Sequence, residues 1–98
     1  MNEQIAHSLI DAELVRLRKL PYSELVGLVS AIETKVVSAE NGKSYQLEID
    51  AVWDSKKSGG VMVIVSVDDG GWRAFKPLTG CFIMRPDGTF VGESSGDH

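Results

Sequence analysis

The chain has 98 residues, 43% of them apolar and 24% charged, with a formal net charge of −4. That is enough apolar mass for one core and too little for two, and it lies well away from the low-hydropathy, high-charge pattern of a disordered chain. The acidic balance argues against nucleic acid as a partner, because the densest basic run, Arg16, Arg18 and Lys19, has Asp11 and Glu13 within two turns of it.

Near the N-terminus, Ile5, Ala6, Leu9, Ile10, Leu14, Leu17 and Leu20 fall on one arc at 100° per residue, so a helix is expected from Ile5 to Leu20. Pro21 should end it. A second, short helix is expected next, with Ser23 as its N-cap, Glu24 in the first turn, Leu25, Val26, Leu28 and Val29 as its apolar body, and an end near Ser30.

From Ile32 to Trp53 the signal is a β-hairpin, since Asn41-Gly42 is the favoured central pair of a two-residue type I′ turn. Setting Glu40 opposite Lys43 pairs Thr34 with Ile49, Val36 with Leu47 and Ser38 with Tyr45 on the inner face, and Lys35 with Glu48 on the outer. Asp54 to Gly60 is then a polar loop. Val61 to Val67, almost wholly apolar, is a central strand. Asp68-Asp69-Gly70-Gly71 connects it to a strand starting at Trp72, with Pro77 and Gly80 marking a bend, bulge or edge before Cys81 to Arg85. Pro86-Asp87-Gly88 is a turn, and Thr89 to Val91 adds a brief last strand. The fold class is therefore α+β: an N-terminal helix, plus a short second one, packed on a four- to five-stranded antiparallel β-meander. Residues 1–93 form a single domain, and 94–98 a flexible tail.

Chemistry-bearing residues are sparse. Cys81 is the single cysteine and cannot form an intrachain disulfide. With His7 on the first helix and His98 at the chain end, it has no base beside it in sequence, so it is expected to be a small buried strand residue and slow to react. Asp68, Asp69 and Asp87 lack the ordered ligand spacing of a calcium loop. Gly59-Gly60 and Gly70-Gly71 lack the context of a phosphate cradle. No cofactor, metal or catalytic residue is indicated. The start of the chain lacks a signal-peptide pattern and no apolar run reaches the ~20 residues of a membrane span, so a cytoplasmic setting is expected.

Two groups of residues point to contact surfaces. Glu13 falls inside the apolar arc of the first helix, either as a buried carboxylate or, the simpler expectation, pairing with Arg16 at the edge of that face. Trp53, Trp72, Arg73 and Phe75 could line a recognition surface or, more simply, pack in the core. Val37, Val52, Met62 and Ile64 are expected on the sheet face that two short helices leave bare, where a second copy is the simplest cover. The expectation is a non-catalytic interaction or regulatory accessory protein of bacterial type, working through its sheet surface as a homodimer or with another protein. The alternative is a small-ligand-binding domain or minor enzyme, with its pocket between the helices and the concave sheet.

Overall fold

The computed structural model describes residues 3–40, 42–68 and 78–91. Helix α1 runs from Glu3 to Arg18. Its end is tightened by bonds from the Lys19 and Leu20 amides to the Arg16 and Leu17 carbonyls, after which Pro21 takes an extended conformation. Helix α2, Tyr22–Gly27, begins two residues earlier than a Ser23 cap would allow. Pro21 occupies the cap position without a capping side chain, its carbonyl accepting the Glu24 and Leu25 amides. A proline needs no amide partner at this boundary, so the start costs little. A 3-10 turn at Leu28–Ser30 ends the helical segment.

Four strands follow: β1 (Glu33–Ser38), β2 (Ser44–Trp53), β3 (Val61–Asp68) and β4 (Leu78–Met84), antiparallel and in chain order. The fold is thus the expected α+β meander. The strand expected from Trp72, the connection at 69–71 and the tail at 94–98 lie outside the described residues. The brief strand expected at Thr89 to Val91 is a single bridge from Phe90 to Met84. Of the bend, bulge or edge expected at Gly80, the edge forms: β4 runs unbroken through it and is the last strand of the sheet among the described residues. No helix among the described residues is long and apolar enough to cross a membrane.

The hairpin between β1 and β2 forms, but one residue out of the expected register. Lys35 faces Leu47 and Val37 faces Tyr45, where Val36 and Ser38 were expected. The cause is the loop, which spans three residues rather than two. The Gly42 amide bonds to the Ala39 carbonyl at 3.0 Å, the Ala39 amide bonds to the Lys43 carbonyl at 2.9 Å, and Gly42 has φ +82°. The loop thus closes on a left-handed glycine. The turn after β4 repeats it: the Gly88 amide bonds to the Arg85 carbonyl, the Arg85 amide to the Thr89 carbonyl, and Gly88 has φ +90°.

Among the described residues, helices cover one sheet face only. Ala6, Ile10, Leu14, Leu17 and Leu25 close a core with Tyr45, Leu47, Ile49, Ala51, Val61, Val63, Val65, Val67, Phe82 and Met84. Helix α1 lies over β3 and β4, and the 3-10 turn over β2. Gly80 permits this approach: a Cβ there would stand 2.7 Å from Ile10 Cγ2 and 3.0 Å from Leu14 Cδ1. The Tyr22 hydroxyl donates to the Gly59 carbonyl at 2.6 Å, tying α2 to the β2–β3 loop.

Candidate functional site

The register of β1 decides which of its residues reach the helices. With odd-numbered residues turned inward, Lys35 points under α1 and its Nζ lies 2.8 Å from Glu13 Oε1. Arg16, one turn further along α1, grips the other oxygen through Nη2 and, at 2.9 Å, through Nε. Glu33 completes the row, with an oxygen 4.0 Å from Arg16. Glu13 is 6% exposed. Burial would push its carboxyl up, but the hydrogen bonds and charges of Arg16 and Lys35 together outweigh that and hold it below the ordinary value of 4.5. This satisfied ion cluster joins α1 to the edge strand. The expected pairing with Arg16 is present, whereas Lys35 was expected on the opposite face beside Glu48. A proton donor or acceptor needs access to a reacting group. Glu13 is instead saturated by two cations.

Between helices and sheet, the described residues pack into one apolar core. Trp53 ends β2 half-buried against that core opposite Val61, so it belongs to the packing. Trp72, Arg73 and Phe75 lie outside the described residues. His7 is exposed on α1, across the sheet from Cys81. Arg18, the last residue of α1, does not simply extend into solvent. Its guanidinium carbon instead lies 5.2 Å from the Phe82 ring centroid and 5.8 Å from that of Phe90, and the two rings meet edge to face.

The other face of the sheet is graded. At one end Val52, Met62 and Ile83 form a row across β2, β3 and β4; in the next row Asp50, Ile64 and Cys81 stand side by side. Val52 is 42% exposed, while Met62, Ile64 and Ile83 are half-buried. Toward the other end the face turns polar, where Gln46, Glu48, Ser66 and Asp68, with Val67, line a shallow depression of about 130 Å³. Val37 does not belong to this face. The one-residue shift turns it inward against the core and puts Val36 outward, because side chains alternate with a period of two. Cys81 likewise departs from expectation. It is exposed on the outer face, because β4 sends Phe82 and Met84 to the helices and the residues between them outward.

Sequence reasoning missed Lys35 and the outward Ile83. The alternation of Phe82 and Met84 carries the signal for Ile83; for Lys35 the signal was the loop length alone. The chain matches no protein-family model, no curated protein and no solved structure.

Proposed function

We propose that this chain is a non-catalytic interaction protein, an accessory or regulatory domain of the cytoplasm that works as a homodimer and meets another protein through its sheet. One observation carries the reading: the sheet's outer face, uncovered by helix or strand among the described residues, bears a contiguous apolar end made of Val52, Met62, Ile64 and Ile83 around Cys81. Contiguous apolar surface bordered by polar groups marks contact sites. The apolar core and the saturated Glu13 cluster support the same reading, because among the described residues the polar groups on the helix side are engaged with one another.

Cys81 offers the test, since it is the single cysteine and stands beside Ile64. A photo-crosslinker attached there should join discrete proteins in an extract of the source cells. Ile64→Lys should abolish those products while leaving the circular-dichroism spectrum and melting curve unchanged. Identical products from Ile64→Lys, or a turnover found in a broad substrate screen, would overturn the proposal.

A further inference from the structure

Strand β1 is an edge of the sheet, paired among the described residues with β2 alone. The Ala39 amide bonds to Lys43 across the hairpin, so odd-numbered residues of β1 aim their main-chain groups at β2. Thr34 and Val36 therefore aim theirs outward. Ile32, just after the extended Ala31, continues the alternation. Two apolar side chains stand exposed along this edge, Val36 at 69% and Ile32 at 57%. Helix α1 lies over β3 and β4, while on the helix side of β1 Lys35 joins the Glu13 cluster and Val37 packs against the core.

Such an edge is a template for another strand. A second copy docking across a two-fold axis perpendicular to the sheet keeps both helix layers on one side, so facing residues must share a face and their numbers sum to an even value. Few registers satisfy this. Those centred on Glu33 or Lys35 set like charges directly opposite. Those centred on Val36 or Val37 set the Lys35 ammonium against an apolar residue and leave Ile32 without a counterpart. The register centred on Thr34 suits every position: Thr34 meets its own copy, Glu33 meets the partner's Lys35, and Ile32 meets the partner's Val36. The two exposed apolar residues of the edge then cover each other. The charges alternate in an unbroken row from Glu13 through Lys35 to the partner's Glu33 and the partner's Arg16.

We propose that two copies of this chain join edge to edge along β1, centred on Thr34, to make one continuous eight-stranded sheet. This deepens the homodimer reading and rests on it. The inward charge of Lys35, which elsewhere guards an edge against pairing, selects a single register because Glu33 lies two residues away. About six main-chain hydrogen bonds form at the junction, two for each outward-pointing pair. Both apolar outer-face patches then lie on the same side of the dimer, available together to another protein.

The test uses the intact chain in analytical ultracentrifugation. Thr34→Pro removes an amide that points away from β2, so the native ladder is kept and only the junction is lost. Glu33→Lys sets like charges opposite Lys35 of the partner. Each should raise the dimer dissociation constant tenfold or more with an unchanged circular-dichroism spectrum, whereas Ile64→Lys should stay dimeric. A dimer insensitive to both edge substitutions overturns the edge assignment and leaves the homodimer reading standing. A wild type that is monomeric at high micromolar concentration overturns both.

Discussion

Glu13 shows how a carboxylate can occupy an apolar helix face without becoming reactive. Two cations from different elements reach it, and the cluster contributes more as a tie between α1 and β1 than as chemistry. Its folded pKa is lowered, so the stability it contributes is present above the unfolded carboxylate value near 4.5 and is lost as pH falls through the lower folded value. Glu13→Gln should cost about 1–2 kcal/mol at pH 7, less than a fully buried pair because Arg16 and Lys35 are partly exposed and screened by water. At pH 3 the gap between wild type and variant should narrow, as followed by urea denaturation at both values. An equal gap at the two pH values would show that the ion cluster is not its source.

Among the elements, β1 and β4 each hang on a glycine. Gly42 holds φ +82° at the third position of the hairpin loop, where a β-branched residue is strained. Gly42→Val should lose about 1 kcal/mol or more, read from the denaturation midpoint. An unchanged midpoint would mean that the loop relaxes to another turn. At Gly80 the constraint is space rather than backbone angle, because Ile10 and Leu14 press against the strand. Gly80→Ala should destabilise by about 1–3 kcal/mol through overpacking, with the larger part coming from Ile10, whose branched methyl has no easy retreat. Neutral behaviour on thermal melting would place α1 further from β4 than these distances say. The register of β1 belongs to this scale too. Whichever way the strand turns, one valine goes in and one goes out, so its hydrophobic pattern is nearly indifferent to register and the loop decides.

At the scale of the whole molecule, a sheet that the described helices cover on one side presents two surfaces that invite company: the apolar end of the outer face and the β1 edge. The ultracentrifugation and crosslinking outcomes set out above separate them, since Ile64 belongs to the first and Thr34 to the second. The amino-acid sequence by itself determined the α+β layout. Helical periodicity to Leu20, the break at Pro21, the Asn-Gly hairpin and the apolar run of β3 are local signals, carried by residues close together in the chain. It also placed Val52, Met62 and Ile64 on the outer face, because strand alternation propagates from the long strands. Only the tertiary structure decided that Val37 turns inward, that Cys81 is exposed, that Lys35 reaches Glu13 and that Arg18 lies over Phe82 and Phe90. The first and third of these follow from one residue of loop length. The others depend on how α1 crosses a sheet whose last strand lies some sixty residues further along the chain, a separation that no local pattern spans.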